Sequence, residues 1–391
     1  MSIKTSLFYT VFTLHLLVGG FIAFTGILPY RPFYSSIIVL ALLPLFSLPI
    51  NKITKFHLFY SALIIVSSIY NGGGLNSLIV GLRIPIISYT MYLVIDGYFK
   101  NSDGDLNSVI KWIALFQLPV VLFQFLFYPT LSGFSSIDID FLDFRFGTFF
   151  VKSDPVMSTF LLLVIILILF AEKKFDKWNI IVLIASSLSI ILADSRVSQL
   201  ALFVVLGFFL IIHSTFKQKI YGLTSILIFF LIFSMAGYAT QLQEQLIVIY
   251  NQITFQSGIN METFKTGGYS RGAAILYFLS EPLKVIGDGP GVYTNPLVGE
   301  MELGLNGEYL KAYAELGILG LLTSITGILV IIFSKLKQTS SSYLIVLIFL
   351  LLAITSDIYN DASLMFVFYL MVYIIVNSQK KLPKRLWLKK N

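Results

Sequence analysis

Twelve apolar stretches of membrane-spanning length run through this 391-residue chain. A helix needs about 20 apolar residues to cross the hydrocarbon of a bilayer, where each backbone N–H and C=O must be paired within the protein. The chain is 57% hydrophobic and 12% charged, with a mean hydropathy of +0.87. Such values are far from those of soluble domains and predict an all-α polytopic integral membrane protein with about 12 transmembrane helices. The stretches lie near 6–28, 33–50, 56–70, 75–98, 107–129, 155–171, 177–193, 197–214, 219–240, 309–334, 342–357 and 361–378.

Lysines mark every second connection between these stretches. Cytoplasmic connections are enriched in lysine and arginine, so this alternation places both termini in the cytoplasm. Seventeen of the 21 lysines fall on that side, including Lys52 and Lys55, Lys100, Lys173 and Lys174, Lys217 and Lys219, and Lys335 and Lys337. The net charge of +7 then reflects anchoring, with Trp387 and the tail lysines on anionic membrane lipid. Nucleic acid is excluded as a partner, because the lysines are dispersed over loops and no soluble domain carries them.

The arginines show the opposite distribution. Five of the six map to the side away from the cytoplasm, against the usual orientation rule. Guanidinium is the side chain that suits planar, bidentate binding of phosphate. This asymmetry predicts a pocket for a phosphorylated lipid that faces away from the cytoplasm. The five are Arg31, Arg83, Arg145, Arg196 and Arg271.

Each of these arginines also has a simpler interpretation. Arg196, in the tight turn between two predicted spans, could bind phosphate or pair with Asp194 at the membrane boundary. Arg271 opens a predicted helix, where it could reinforce an anion site or lie on a solvated loop. Arg145, flanked by aromatic residues, could face a sugar or anchor the chain at the lipid headgroups. Arg83 lies within a predicted span, and such an arginine is either functional or snorkels to the interface.

One external connection is far longer than the others. It covers 241–308, between predicted spans 9 and 10 of a single transmembrane domain, 1–391. Loops of this length are usually functional. Apolar spacing predicts an amphipathic helix on the membrane surface over 242–264, and a second short helix that ends in the glycine-rich turn 287–291. Backbone N–H groups of that turn could form a nest for phosphate, although glycine and proline clusters also mark ordinary turns.

Carboxylates are the candidates for proton transfer. Glu308 is expected at the water boundary and is the preferred general base. Glu315, Asp288, Asp194 and Asp357 are alternatives, and each could instead be a solvated acid or the partner of an arginine. None of the three histidines falls on the predicted external face, and no ligand spacing suggests a metal site there.

Four segments, in this order, resemble those of the O-antigen polymerase and O-antigen ligase superfamily of membrane glycosyltransferases. They are RFGTFFVKSDP at 145–155, DSR at 194–196, SRGAAILYFLSEPLKVIGDGPG at 270–291 and NGEYLKAYAELGILGLL at 306–322. Together they cover about the last half of the chain. The resemblance implies a GT-C-like fold in which Arg196 and Arg271 engage a lipid diphosphate.

The resemblance further favours the polymerase (Wzy-type) branch. The ligase branch usually has a histidine just before an Asn-x-Tyr/Phe-Leu segment, and aligning Tyr309 with that segment puts Asn306 at the histidine position. We therefore expect catalysis by Arg196, Arg271 and Glu308, without metal or other cofactor. The residues expected to bind substrate are Arg83, Arg145, Gly287, Asp288, Gly289, Gly291, Asn306 and Tyr309.

The implied reaction transfers a growing glycan from an undecaprenyl-diphosphate donor to a lipid-linked repeat unit. It would occur at the periplasmic side of a bacterial inner membrane, with a chain-length regulator as a possible protein partner. Two alternatives remain: a ligase that moves glycan to lipid A core, and a flippase or transporter of lipid-linked oligosaccharide. Transporters commonly show internal repeats and discontinuous helices, and we find no repeat in this sequence.

Overall fold

The computed structural model describes most of the helical part of the chain. It covers residues 3–26, 49–102, 105–135, 144–149, 156–193, 195–213, 282–295, 298 and 307–381, with only the backbone of Ala23, Arg196, His213 and Lys381. The helices are α1 (Ile3–Thr13), α2 (Gly19–Thr25), α3 (Lys52–Tyr70), α4 (Leu75–Asn101), α5 (Asn107–Leu126), α6 (Tyr128–Ser132), α7 (Val156–Ile166), α8 (Lys177–Leu192), α9 (Arg196–His213), α10 (Glu308–Lys335), α11 (Ser340–Thr355) and α12 (Ala362–Lys381). A π-helical turn, Leu14–Val18, joins α1 to α2, and a second, Leu167–Glu172, extends α7.

Six of these helical segments are long and apolar enough to cross a membrane: Ile3–Ile22, Lys52–Tyr70, Leu75–Asn101, Asn107–Leu126, Glu308–Lys335 and Ala362–Lys380. Four shorter apolar helices accompany them, at Val156–Glu172, Lys177–Leu192, Val197–Ile212 and Ser340–Thr355. The chain is thus a helical membrane protein by length and composition of its helices. Ten of the twelve predicted stretches coincide with these segments, while 219–240 and nearly all of 33–50 lie outside the described residues. The count of twelve spans stays a prediction.

Two helices, α7 and α12, form the centre of the bundle. Every residue of α7 is buried, and α12 is buried along nearly its whole length. They pack against each other, and α12 also packs against α4. A helix that is apolar on all sides belongs in the interior of a bundle, which explains why neither helix has a polar stripe.

The outer helices expose large apolar side chains. On α3, Leu58 and Phe59 are 66% and 59% exposed, and on α8 Ile181 and Ile184 are 50% and 56% exposed. Such a surface would be unfavourable in water, whereas lipid tails are as apolar as these side chains. An apolar core beneath an apolar surface is the arrangement that a bilayer requires.

Polar contacts gather at the two ends of the bundle. At one end, Lys111 pairs with Glu172 at 2.5 Å, and Asp96 pairs with Lys335 at 3.2 Å. These residues all belong to helix ends that the lysine pattern predicts to be cytoplasmic. The other end holds the residues of the candidate site described below, all of them on segments predicted to be external. The fold therefore places segments predicted to be cytoplasmic at one end of the bundle and segments predicted to be external at the other. Which end faces the cytoplasm stays a prediction.

Part of the predicted external connection 130–154 is packed into the bundle. Thr148 donates a hydrogen bond from Oγ1 to the Leu16 carbonyl, 2.5 Å away, and its N–H donates to Gln117. Gln124 exchanges two hydrogen bonds of 2.9 Å with the backbone of Gly147. The FRFGTFF segment is thus held by two glutamines of α5, which fixes the position of Arg145.

Candidate functional site

Helix α10 is broken near its first third. Gly317 has φ 71° and ψ −162°, a conformation that interrupts the helical hydrogen bonds and that glycine adopts most easily. Free backbone groups are costly at this depth in a membrane protein unless other groups pair with them. Residues 284–289, here called the clamp segment, supply those partners.

Four backbone hydrogen bonds join the clamp segment to α10. The N–H groups of Asp288 and Gly289 donate to the carbonyls of Ala314 and Glu315, each at 3.0 Å. On the other side of the break, the N–H groups of α10 donate back to the clamp segment. These bonds run from Ile318 to the Lys284 carbonyl at 2.9 Å and from Leu319 to the Val285 carbonyl at 3.4 Å. A stretch of the long predicted external loop therefore completes a discontinuous helix.

The glycine-rich turn was predicted to offer its N–H groups to a phosphate. In the structure, the N–H groups of Asp288 and Gly289 are already bonded to α10. Gly287 is needed for close approach, because a Cβ there would lie 2.5 Å from the Ala314 carbonyl oxygen. The described part of this region, 282–295, contains bends and turns but no helix, and the predicted helix over 242–264 lies outside the described residues.

The turn does bind an acidic group, the carboxyl group of Glu315 in the same chain. Glu315 is 3% exposed, and its Oε1 accepts a hydrogen bond of 2.6 Å from Thr294 Oγ1. The N–H of Gly291 also bonds to this carboxylate. Part of the donor set expected for a substrate phosphate is thus occupied by an internal carboxylate at the break in α10.

A second polar group lies where α10, α4 and the α11–α12 connection meet. Lys311 Nζ contacts Asp357 Oδ2 at 2.6 Å, and Asn360 Nδ2 donates to the same oxygen at 3.1 Å. Arg83 Nε donates to Asn360 Oδ1 at 3.2 Å. Together with Glu308 we call these residues the acid–base cluster: Arg83, Glu308, Lys311, Asp357 and Asn360.

Glu308 differs from its expected position at the water boundary. It is 2% exposed, so the expectation of a solvated carboxylate was wrong. Its Oε1 accepts a hydrogen bond of 3.1 Å from Ser324 Oγ, and its Oε2 accepts one of 3.3 Å from the Tyr359 N–H. The bundle buries Glu308 because the Glu308 N–H bonds to the Ser356 carbonyl, which ties the start of α10 to the end of α11.

Asp357, one of the alternatives, is more accessible. Its side chain is 26% exposed, but the Oδ1 atom itself is buried, and no N–H or hydroxyl group of the described residues donates to it. In its protonated form, the neighbouring Glu308 carboxyl group donates a hydrogen bond to the Asp357 carboxylate. Burial acts to raise the pKa of Asp357, but the Lys311 charge and these hydrogen bonds outweigh it and hold the pKa below its usual value. The neighbouring Lys311 charge thus favours the ionised form of Asp357.

The side chain of Arg145 contacts the α8–α9 turn, after which a second predicted phosphate-binding arginine, Arg196, begins α9. Arg145 is 8% exposed and donates from Nη1 to the Leu192 carbonyl at 2.8 Å, at the last residue of α8. Its guanidinium carbon lies 5.7 Å from the centre of the Phe125 ring. Arg196 begins α9 four residues after Leu192. The fold brings these two positions, which are distant in sequence, to one turn.

The remaining predicted site residues divide into two groups. Tyr309 lies half-buried on the first turn of α10, beside Glu308. Arg31, Asp194, Arg271 and Asn306 lie outside the described residues. The proposed convergence of Arg196 with Arg271 thus remains a prediction.

Sequence reasoning missed Lys311 and Asn360. Lys311 follows Glu308 by three residues on one face of a helix, and a lysine inside an apolar span is itself a functional signal. Asn360 carried no such signal, because polar residues are common in short connections. Over the parts of the chain that the structure describes, no three His, Cys, Asp or Glu side chains lie close enough together to hold a metal ion. A comparison with protein-family models and with curated protein sequences finds no match to this chain.

Proposed function

We propose that this protein is a membrane glycosyltransferase of the polymerase type. It would transfer a growing glycan from an undecaprenyl-diphosphate donor to a hydroxyl of a lipid-linked repeat unit, on the external face of a bacterial inner membrane. The observation that carries this proposal is the acid–base cluster at the predicted external end of the bundle, in which a partly exposed carboxylate contacts Lys311 and is linked through Asn360 to Arg83. The family resemblance of segments 145–155, 194–196, 270–291 and 306–322 supports it independently.

The reaction needs neither nucleotide nor metal, because the lipid diphosphate is already a good leaving group. The acceptor oxygen forms a bond to the anomeric carbon of the donor while the bond from that carbon to the diphosphate oxygen breaks. The acceptor hydroxyl loses its proton to a carboxylate, and undecaprenyl diphosphate leaves with the bonding electron pair. The protein must therefore supply one base and enough positive charge to stabilise the departing diphosphate.

Asp357 suits the role of that base better than Glu308, which was preferred on sequence grounds. Its side chain is partly exposed and Lys311 favours its ionised form, whereas Glu308 is 2% exposed. Glu308 would position Asp357 through the hydrogen bond between the two carboxyl groups. Arg196 and Arg271, with Arg145 close to the start of α9, would bind the diphosphate.

Replacing Arg196 or Arg271 with glutamine is expected to leave single repeat units unextended. Loss of one donor to a developing anion lowers a rate by about 10²–10³, enough to remove long chains from a polymer ladder. The measurement is glycan chain length on gels from cells whose only copy of this gene carries the variant. Arg385→Gln is the matched control, because Arg385 is the one arginine predicted on the cytoplasmic side. Normal chain length in both test variants, at equal membrane abundance, would refute the assignment.

The glycans in the same cells distinguish a polymerase from a ligase. Loss of a polymerase leaves single repeat units, whereas loss of a ligase leaves long polymer on the undecaprenyl carrier. A requirement for a chain-length regulator would show as polymer of uncontrolled length when this chain is expressed alone with its lipid-linked substrate.

A transporter is the second candidate, and the discontinuous helix α10 is the observation that favours it. Secondary transporters place their substrate and ion sites at such breaks, and Lys311 and Glu315 lie within two turns of Gly317. Proteoliposomes containing the purified chain and a fluorescent lipid-linked repeat unit distinguish the two functions. The proposed polymerase yields longer glycans with no change in leaflet, and a transporter yields translocated single units.

A further inference from the structure

A cavity of about 410 Å³ lies between the α3–α4 turn and the clamp segment. Three consecutive glycines, Gly72, Gly73 and Gly74, form one wall, and Asp288 and Gly289 form the opposite one. Asn71 joins the walls by donating from Nδ2 to the Gly287 carbonyl at 2.8 Å. Its size is within the 300–1,000 Å³ typical of small-molecule sites.

The two walls offer different hydrogen-bonding groups. On the glycine side, α4 begins at Leu75, and the first N–H groups of a helix have no partner within it. Gly74, at the capping position, has no side chain that could accept from them. The opposite wall contains the Asp288 carboxylate, which accepts hydrogen bonds. A ligand that both accepts and donates hydrogen bonds would suit these two walls.

The charge of the cavity disfavours a phosphate. No lysine or arginine is among the described residues that line it. The Asp288 carboxylate accepts hydrogen bonds from Lys284 Nζ at 2.9 Å and from the Tyr293 hydroxyl at 2.5 Å, and neither of these residues is among the described residues that line the cavity. An anion would face this carboxylate directly, whereas a sugar hydroxyl both donates and accepts. Leu75, Val292 and Val298 add apolar surface suited to the faces of a sugar ring.

We propose that this cavity binds one neutral sugar residue of the glycan, apart from the site that binds the diphosphate. The identification of this sugar as part of the substrate rests on the proposed function. The binding of a neutral sugar in the cavity does not depend on that function. The bound sugar would contact the clamp segment, so the cavity would place the glycan beside the break in α10.

Gly74→Val tests this inference with little risk to the fold. A Cβ at Gly74 meets no atom within 4 Å, and the backbone there is extended, with φ −69° and ψ −176°, which suits valine. Because Gly74 lines the cavity, we expect a side chain added there to reduce the space for a ligand. Gly207→Val is the matched control, because a Cβ at Gly207, in α9, also meets no atom within 4 Å.

Binding is measured by saturation-transfer NMR on the full-length protein in nanodiscs. The probes are free glucose, galactose, rhamnose, N-acetylglucosamine and N-acetylgalactosamine. At least one should receive saturation from the wild-type protein, with affinity lowered tenfold or more by Gly74→Val, less by Gly74→Ala, and unchanged by Gly207→Val. Inorganic diphosphate should not displace it. The inference is overturned if no probe binds, if Gly74→Val binds equally well, or if diphosphate competes.

These outcomes are separate from those of the polymer assay. If the wild-type protein binds a sugar but makes no polymer, the proposed function is refuted, whereas the assignment of the cavity as a sugar-binding site is supported. If polymer forms while Gly74→Val leaves sugar binding intact, the cavity assignment fails alone. The Arg196→Gln variant should bind the free sugar normally while making no long chains.

Discussion

Replacing Lys311 with methionine should abolish polymer formation and lower the free energy of unfolding by about 3 kcal/mol. Breaking a buried ion pair from one side costs roughly 3–5 kcal/mol, since the remaining charge is left without compensation. The lower end applies here because the Asp357 side chain is 26% exposed. The change is measured by denaturant titration of the purified protein in micelles, together with glycan chain length in cells.

The opposite end of the bundle provides a control of matched geometry. Lys111 pairs with Glu172 at 2.5 Å, and the lysine side chain is 9% exposed, the same value as for Lys311. Lys111→Met should therefore cost similar stability but leave chain length unchanged at equal membrane abundance. A loss of polymer in both variants would mean that Lys311 acts only through stability.

A double variant distinguishes the effect of an unpaired charge on stability from the effect of changed side-chain packing. In Lys311→Met with Asp357→Asn, the carboxylate that the single change leaves without its lysine is also removed, so stability should recover toward that of the wild type. Polymer should not recover, because the proposed base is gone. Recovered polymer in the double variant would contradict the role of Asp357.

The helices could be predicted because the bilayer imposes one rule on every span. Apolar stretches of sufficient length must pair their own backbone groups, so α4, α5 and α12 follow from composition alone. The grouping of polar contacts at two ends likewise follows from the lysine pattern. These features depend on local sequence and need no knowledge of which helices are neighbours.

The site could be predicted only in part, because its geometry depends on contacts between distant segments. Arg83 and Glu308 were identified from their residue type and position. Their connection through Asn360 and Asp357 brings together three elements spread over more than 270 residues. Burial of Glu308 could not be foreseen, since it results from a backbone bond between the start of α10 and the end of α11.

The break in α10 was also missed. The segment ELGILG at 315–320 contains two glycines, yet glycine is common in membrane helices and gives no sign of a break. The break is stable because the clamp segment, about 30 residues earlier, supplies the missing hydrogen bonds. The glycine-rich turn was predicted to bind a substrate phosphate, which stays a prediction; in the structure its Gly291 N–H bonds to the Glu315 carboxyl group of the same chain.

Replacing Gly317 with alanine is expected to have the second large effect, on the stability of the protein. Whether the variant is less or more stable than the wild type distinguishes a broken α10 from a continuous one. In a continuous helix, glycine to alanine stabilises by roughly 0.5–1 kcal/mol. At φ 71° and ψ −162°, alanine is strained by about 1–3 kcal/mol, and its Cβ would lie 2.6 Å from the Val285 carbonyl carbon. We therefore expect Gly317→Ala to destabilise the protein and to detach the clamp segment from α10.

The measurement combines unfolding in micelles with hydrogen exchange of Ile318 and Leu319, whose N–H groups bond to the clamp segment. Gly207→Ala serves as the control, because its Cβ meets no atom and the position is in a regular helix. Destabilisation with faster exchange at these two amides, and neither change in the control, is the expected result. A more stable Gly317→Ala protein with slower exchange would show that α10 is continuous. The clamp segment would then have no broken helix to complete, and neither the Glu315 site nor the transporter alternative would retain its structural basis.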